Sequence, residues 1–307
     1  MRSSERLSSP AGDPNFSTSD DLKRHPKFKA AVDVLIDGMA DLYGDDVRLV
    51  RNLFEYDRAI LFMMAVGIDA LNNGDPSSPP MSVATLAEAG AQMGIGPLRR
   101  IRRLVDEMRK DGMLITETLS ADRRRHRLRS TERMLEIDRE WLAAFHAPLL
   151  EMIPDEPRYQ AAMARDPVYH QAYRFLSQDN LGMANRVMTE NPPVDFFLRH
   201  VSGARLLAVL LQAARNDPDG WTAAGFYSAA AKRTSTSRVQ VRAVLHLARD
   251  AGLVELSDEG DGRVRVTPEL RDGFAKWAAD ALLAVDLVSA FGVESARRRR
   301  ALEKVGI

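Results

Sequence analysis

Apolar residues recur at helical spacing along most of the chain, and runs of β-branched residues are few. The first such face begins after Pro26 and comprises Phe28, Val32, Leu35, Ile36 and Met39. The two longest apolar runs, at 59–71 and 281–293, are too short to span a bilayer, and each contains an aspartate. We therefore interpret both runs as buried helices.

The first 24 residues differ from the rest in composition. They are rich in Ser, Asp and Pro and contain few apolar residues that could anchor them. Such a segment buries too little apolar surface to offset the entropy lost on ordering. We expect residues 1–24 to be a disordered N-terminal arm.

Signals for a helix-turn-helix and a hairpin follow the breaker NNGDPSSPP at 72–80. Ser82 can cap a short helix, and Pro97 suits the first turn of a second helix. Gly112 ends that second helix. The segment MLITETL then alternates as a strand does, and LRST is its partner strand. This order predicts a winged helix.

The same arrangement occurs twice. Residues 82–113 align without a gap to 222–253, at a shift of 140 positions, and landmarks on both sides also match. The identical pairs include Ala84 with Ala224, Arg102 with Arg242, Arg109 with Arg249, Gly112 with Gly252, Thr131 with Thr267 and Trp141 with Trp277. We infer an internal duplication, with repeat 1 over 25–153 and repeat 2 over 154–307. The predicted fold is mainly α with small β-hairpin wings, formed by two winged helix-turn-helix domains arranged as an intramolecular pseudo-dimer.

The second helix of each helix-turn-helix carries the residue types that contact DNA. Arg and Gln can grip base edges in the major groove, and hydroxyls can donate to phosphates. The candidates in repeat 1 are Arg99, Arg100, Arg102 and Arg103; those in repeat 2 are Lys232, Arg233, Thr234, Ser235, Thr236, Ser237, Arg238, Gln240 and Arg242. The apolar residues expected to turn inward are Leu98, Ile101, Leu104, Val105 and Met108 in repeat 1, and Val239, Val241, Val244 and Leu245 in repeat 2. The alternative is an ordinary solvated face.

Charge is unevenly placed in a chain that is neutral overall, with 43 basic and 43 acidic residues. The predicted tip and return strand of the first wing contain Arg123, Arg124, Arg125, Arg127 and Arg129. Such a run repels itself unless an anion is near, and a narrow minor groove attracts arginine. We expect a minor-groove and phosphate contact here rather than a solvated loop. The second wing carries Arg263 beside an acidic tip, so we expect it to contribute less.

This wing resembles that of MarR-family transcriptional regulators, in which Asp-x-Arg precedes a strand of the pattern hydrophobic-x-Leu-Thr. Asp122, Arg124, Leu128 and Thr131 match, whereas Ser130 stands where the family has leucine. The resemblance implies that Arg124 and Arg263 enter the minor groove. It also implies helices at the domain ends that pair two subunits, and segments 26–42, 132–151, 167–186 and 270–303 are available for this.

Other chemistry is weakly represented. The chain has no cysteine, its six histidines show no ligand spacing, and GIG at 94–96 follows no strand. We find no nucleophile–base pair, so we expect no enzyme, no cofactor and no metal. Trp141 and Trp277 are expected to be packing residues. The N-terminus has no secretory signal, and we expect a cytoplasmic protein without a membrane partner.

The predicted function is that of a sequence-specific regulator that binds double-stranded DNA. A duplicated chain would place two recognition helices roughly one DNA turn apart, so a single chain would be sufficient as a pseudo-dimer. A small-molecule effector between the repeats is a partner that the sequence leaves open. Two alternatives also remain: a tandem winged-helix interaction module of a chromosome-structuring complex, and a plasmid replication initiator.

Overall fold

The computed structural model describes residues 13–74, 77–118, 126–177 and 181–305. Within these residues the fold is mainly helical, with two small antiparallel hairpins. The first half contains α1 (Ser19–Arg24), α2 (Phe28–Asp41), α3 (Val47–Leu53), α4 (Tyr56–Gly74), α5 (Val83–Gln92), α6 (Leu98–Lys110), β1 (Leu114–Thr118), β2 (His126–Ser130) and α7 (Glu132–Met152). The second half contains α8 (Pro157–Met163), α9 (Pro167–Ser177), α10 (Leu181–Thr189), α11 (Pro192–Leu198), α12 (Gly203–Ala214), α13 (Phe226–Arg233), α14 (Arg238–Asp250), β3 (Val254–Leu256), β4 (Val264–Val266) and α15 (Pro268–Val305).

Local sequence signals explain where α5, α6 and α14 begin or end. Ser82 Oγ accepts from the Thr85 amide at 3.1 Å, and Thr85 Oγ1 accepts from the Ser82 amide at 2.8 Å, so the predicted cap of α5 is confirmed. Gly112 and Gly252 follow α6 and α14 with φ of 70° and 74°. A left-handed residue at this position ends a helix, and glycine adopts it without strain.

The segments α5–α6–β1–β2 and α13–α14–β3–β4 share their order and their hydrogen bonds. The amide of Met113 donates to the carbonyl of Met108 at 2.9 Å, as the amide of Leu253 does to Ala248 at 2.9 Å. After each hairpin a threonine hydroxyl reaches back to the glycine that ends the helix: Thr131 to Gly112 at 2.7 Å and Thr267 to Gly252 at 3.1 Å. The two segments therefore have the same local construction.

Both hairpins are formed by short strands. In the first, Leu114 pairs with Ser130 and Thr118 with His126. In the second, Val254 pairs with Val266 and Leu256 with Val264. A preceding segment adds a further backbone bond in each case, from the Leu128 amide to Met81 O at 2.8 Å and from the Thr222 amide to Val264 O at 2.8 Å. The hairpin is thus fixed to the start of its own helix-turn-helix segment.

The buried residues form two large cores that do not coincide with the predicted repeats. One core holds α4, α5, α6 and the first hairpin, with Ile101, Leu104 and Met134 among its members. The other extends from Phe16 to Val288 and joins α2 and α7 to the second helix-turn-helix segment. The boundary predicted near 153 falls in the turn between α7 and α8, but it does not separate two independent cores.

Helices α2 and α9, which occupy equivalent places in the two halves, make reciprocal contacts. Helix α2 contacts α7 of its own half and α12 of the other, while α9 contacts α15 of its own half and α4 of the other. Side chains fix the first crossing: Gln212 Nε2 donates to Asp37 Oδ1 at 2.6 Å, and Arg215 Nη1 lies 2.8 Å from both Asp37 carboxylate oxygens. The two halves therefore form one packed body in which each half completes the other.

The expectation of a disordered arm is wrong for residues 13–24. Thr18 caps α1, and Leu22 is fully buried, at 0% exposure. The Phe16 amide donates to Asp286 Oδ2 at 3.0 Å, and the Ser19 hydroxyl donates to Asp280 Oδ1 at 2.6 Å. These partners lie on α15, more than two hundred and fifty positions away in the chain, so composition alone could not reveal them.

The four end helices expected from the resemblance are present with altered limits. The segments 26–42 and 132–151 correspond to α2 and α7. The segment 167–186 contains two helices, α9 and α10, and 270–303 lies within α15. Among the described residues no helix is long and apolar enough to cross a membrane.

Candidate nucleic-acid interface

Helix α6 has one buried face and one basic face. Ile101, Leu104, Val105 and Met108 are buried as predicted, with at most 6% exposure. Arg99, Arg102 and Arg103 are exposed. Leu98 was expected to turn inward, but it is 43% exposed at the first position of the helix. The residues Leu98, Arg99, Arg102 and Arg103 therefore form an accessible surface at the N-terminal half of α6.

Arg100 does not belong to that surface. Its Nη2 lies 2.9 Å from Glu55 Oε1, and its Nε lies 2.5 Å from Asp57 Oδ2. Two carboxylates thus hold the guanidinium against the start of α4, so its charge is already neutralised. Arg100 therefore joins α6 to α4, although the sequence had suggested a contact with DNA.

Two arginines of the first wing are also engaged within the fold. Arg127 Nε and Nη2 donate to Glu117 Oε2 at 3.0 and 2.9 Å across the hairpin. Arg129 Nε lies 2.9 Å from Asp69 Oδ1 on α4. Both were predicted to contact DNA, and each is turned toward an acidic side chain of the protein. Arg123, Arg124 and Arg125 lie outside the described residues.

The pairing of Arg129 follows from the burial of its partner. Asp69 lies on α4 and is only 2% exposed. Burial raises the pKa of Asp69, and the positive charge of Arg129 opposes that rise. A buried carboxylate is costly unless a cation accompanies it, so Arg129 is required there by the fold.

The turn before α14 contributes less to the surface than the sequence predicted. Thr234 is fully buried, and its hydroxyl donates to the carbonyl of Ala230 at 2.8 Å, which overturns its assignment as a DNA contact. Ser235 and Thr236 are half-buried, with Ser235 in the left-handed region at φ 53°. Ser237 is exposed, but its Oγ caps α14 by accepting from the Gln240 amide at 3.1 Å.

Arg233, another predicted DNA contact, is also engaged within the fold. Its Nη2 donates to Asp41 Oδ1 at 2.5 Å and to the carbonyl of Ala40 at 3.3 Å. Its Nη1 donates to Gln212. Arg233 therefore joins the second helix-turn-helix segment to α2, whereas its neighbour Lys232 is exposed.

The first turns of α14 present an accessible surface that matches the one on α6. Arg238 and Arg242 are exposed, and Arg242 Nε donates to His246 Nε2 at 3.2 Å. Gln240 is half-buried. Val239 was expected to turn inward, but it is 78% exposed, whereas Val241, Val244 and Leu245 are buried as predicted.

The sequence reasoning missed Leu98 and Val239 as surface residues, although a signal was available. Each lies next to an arginine at the start of a helix whose buried stripe begins two or three positions later. A helical period of 3.6 residues places Val239 off the stripe formed by Val241, Val244 and Leu245.

The two arginines of the second wing contact other groups of the same chain. The Arg263 guanidinium lies 5.2 Å from the centre of the Trp221 ring, and its Nε donates to Thr222 O at 3.3 Å. Arg265 Nη1 lies 3.0 Å from Glu255 Oε2. Arg263 is half-buried in this arrangement, so its surface is only partly accessible.

The predicted candidates thus divide into two groups. Arg100, Arg127, Arg129, Arg233 and Thr234 serve the fold. Those that remain accessible are Arg99, Arg102, Arg103, Lys232, Ser237, Arg238 and Arg242, with Ser235, Thr236, Gln240 and Arg263 half-buried. The accessible arginines cluster at the N-terminal halves of α6 and α14, which occupy equivalent positions in the two helix-turn-helix segments.

The described residues contain no cluster of three or more His, Asp or Glu side chains placed to hold a metal ion. The chain matches no known family model, and it has no significant similarity to a curated protein or to a solved structure.

Proposed function

We propose that this protein is a sequence-specific, double-stranded-DNA-binding transcriptional regulator. In this proposal the chain is an internal duplication of a winged helix, α6 and α14 are the recognition helices, and the first wing supplies additional basic contacts through Arg123, Arg124 and Arg125. The observation that carries the proposal is the pair of accessible, arginine-bearing helix starts, which occur in two segments of the same construction.

The packing supports a pseudo-dimer. DNA-binding proteins of this kind usually pair two copies about a two-fold axis, with each recognition helix in the major groove. A two-fold interface is reciprocal, since each patch contacts its counterpart on the other copy. The contacts of α2 with α12 and of α9 with α4 have this reciprocal form within one chain.

The separation of paired from unpaired arginines supports the proposal. The fold uses carboxylates to neutralise Arg100 and Arg129, yet it leaves Arg99 and Arg102 exposed on α6. A row of exposed like charges repels itself in water, and phosphates relieve that repulsion. Arginine can also bind guanine O6 and N7 with two hydrogen bonds.

The two helices present different chemistry, so the proposed half-sites differ. At the shift of 140 positions, Arg102 corresponds to Arg242, but Arg99 corresponds to Val239. An exposed valine in a major groove suits the methyl group of thymine, whereas arginine suits guanine. We expect a bound sequence with unlike halves.

Selection of bound sequences from a random DNA library tests the proposal directly. The expected result is an enriched, non-palindromic site, covered by one chain when the complex is examined by light scattering. Absence of any enriched sequence, together with no retention of duplex DNA, would contradict DNA binding and would favour the protein-interaction alternative.

Two pairs of variants test the recognition helices. Arg102→Ala and Arg242→Ala should each weaken binding to the selected site by about 1–3 kcal/mol, because each removes a base or phosphate contact. The matched controls are Arg109→Ala and Arg249→Ala, at equivalent positions near the C-terminal ends of the same helices. These side chains pair with Asp106 at 3.6 Å and with Asp250 at 2.7 Å.

Fluorescence anisotropy titrations at several salt concentrations provide the comparison. The controls should retain affinity and salt slope, whereas a lost phosphate contact should flatten the slope by about 0.9. Equal losses for controls and test variants would indicate a nonspecific charge effect and would contradict the assignment of α6 and α14.

A further inference from the structure

Strand β1 has a free edge: within the described residues no strand pairs with its outer side. Its partner β2 is bonded on the far side as well, since the Leu128 amide donates to Met81 O at 2.8 Å. Leu128 lies directly opposite Thr116. In an antiparallel pair, opposite residues either bond to each other or both point away from each other. The N–H and C=O of Thr116 therefore point toward the free edge, and those of Leu114 and Thr118 have the same phase.

A groove of about 550 Å³ runs along this edge, and the C-terminal half of α6 forms its other wall. Three consecutive residues of β1 line it, namely Leu114, Ile115 and Thr116. Because successive side chains of a strand point to opposite faces, a surface shared by three consecutive residues includes the backbone edge. Ile115 is 46% exposed, and Thr116 is exposed. An apolar side chain and outward-pointing backbone groups are thus accessible from one groove.

Strand β1 lacks the features with which proteins usually protect an exposed edge. Such edges commonly carry lysine or proline, contain a bulge, or are covered by another segment. The sequence LITET has no lysine, proline or glycine, and its register with β2 is continuous over all five residues. Isoleucine and threonine also favour extended backbone. The edge is therefore competent to pair with a further strand.

The charge of the groove selects the kind of strand. Helix α6 contributes two basic side chains, Arg109 and Lys110, and one acidic side chain, Asp106. Arg109 lies 3.6 Å from Asp106, whereas Lys110 is exposed, so basic charge is in excess. Glu117 of β1 does not offset it, because Arg127 Nη2 donates to that carboxylate at 2.9 Å. An acidic segment is favoured, while a second copy of the chain would bring the same basic groups to the groove.

The equivalent edge of the second hairpin has the opposite character. At the shift of 140 positions, Lys110 corresponds to Asp250 and Ile115 to Glu255. Both of these acidic residues are exposed. Strand β3 is also shorter, with three residues. An acidic segment would be repelled there, so it should select the edge of β1.

We propose that the edge of β1 binds an extended, acidic segment of another protein, which adds a strand to the first hairpin. The backbone of the segment pairs with Thr116, apolar side chains at alternate positions pack on Ile115, and carboxylates lie near Arg109 and Lys110. Lys110 follows Arg99 by eleven positions, which is about 16 Å along α6. The docking edge is thus separate from the start of that helix, and the proposal does not depend on DNA binding.

Anisotropy titrations of the full chain with labelled peptides test the proposal. The probe is a fluorescein-labelled octapeptide in which valine alternates with glutamate. One comparison peptide is methylated at every backbone amide nitrogen and so has no donors for an edge; the other has lysine in place of glutamate. We expect saturable binding of the probe and at least roughly tenfold weaker binding of both comparison peptides. No saturable binding of the probe, or equal binding of either comparison peptide, would overturn the proposal.

A charge reversal locates the site without affecting the core. Lys110→Glu should weaken binding of the probe by about fivefold at low salt, because an exposed attraction becomes a repulsion. The matched control is Lys29→Glu, the same change at an exposed position of α2, and it should bind the probe as the wild type does. Unchanged binding by Lys110→Glu, or an equal loss in both variants, would refute the location.

A proline tests the backbone pairing. Thr116→Pro removes an amide that points out of the hairpin, and proline is tolerated where an edge N–H faces solvent. The folded variant should bind the probe at least roughly tenfold more weakly. Circular dichroism melts establish whether it folds, and the Lys110 comparison decides if it does not. A stable dimer of the wild type in light scattering, dissociated by Thr116→Pro, would overturn the proposal in favour of a second copy of the chain at this edge.

Discussion

Acidification should destabilise this fold through the buried imidazole of His146 on α7. The ring is 0% exposed, and its Nδ1 lies 2.7 Å from the carbonyl oxygen of Leu142. A carbonyl oxygen only accepts, so the neutral ring carries its proton on Nδ1. Its Nε2 lies 2.8 Å from Tyr169 Oη and 2.9 Å from Ser289 Oγ.

The environment of His146 opposes its protonation. Burial lowers the pKa of His146 from its ordinary value of 6.5 to about 4, and the positive charges of Arg174 and Arg158 act in the same direction. The hydrogen bond to Leu142 has the opposite, smaller effect. His146 therefore stays neutral in the folded protein at pH values where it would be protonated in the unfolded chain.

The sign and size of the effect follow from linkage. Between pH 6.5 and about 4 the unfolded chain binds one more proton at this position than the folded protein does. The free energy of unfolding therefore falls as the pH falls through this window. At 1.36 kcal/mol per pKa unit, the loss amounts to about 3 kcal/mol.

Urea unfolding followed by circular dichroism measures this loss for the wild type and for His146→Phe. The variant has no titratable ring, and Tyr169 Oη still donates to Ser289 Oγ at 2.9 Å. Buried carboxylates such as Asp138, whose pKa is lowered to about 2, are common to both proteins and cancel in the comparison. The stability of the wild type should fall more steeply with acid. Equal slopes for the two proteins would refute the reasoning.

Two further substitutions test structural roles that the sequence did not predict, those of Arg129 and Leu22. Arg129→Ala should lower the free energy of unfolding by roughly 3 kcal/mol, because it leaves the buried Asp69 without its cation. A loss within about 0.5 kcal/mol, ordinary for a surface position, would contradict the assignment of Arg129 as the partner that Asp69 requires. Leu22→Ala should cost about 3 kcal/mol, since the side chain is fully buried. An unchanged urea midpoint would instead indicate that the segment around Leu22 is disordered.

Elements with local signals could be predicted from the sequence. The cap at Ser82, the glycine stops at 112 and 252 and the alternation of the two hairpins depend on neighbours within a few positions. The buried stripes of α6 and α14 likewise follow from helical periodicity. The structure places these elements within one or two residues of their predicted limits.

The partners of charged side chains could not be predicted in the same way. Glu55 is 45 positions from Arg100, and Asp69 is 60 positions from Arg129. Which carboxylate meets which guanidinium depends on how α4 packs against α6 and the hairpin. A cluster of arginines in the sequence therefore overstated the charge that is available to a ligand.

The order of the N-terminal segment could not be predicted from its composition either. Its polar composition suggested disorder, yet Asn15 donates to Glu156 Oε2 and to Tyr159 Oη, each at 3.0 Å. Hydrogen bonds to groups that the fold buries, together with the burial of Phe16 and Leu22, order this segment. A count of apolar residues cannot reveal these hydrogen bonds, because their partners are remote in the sequence.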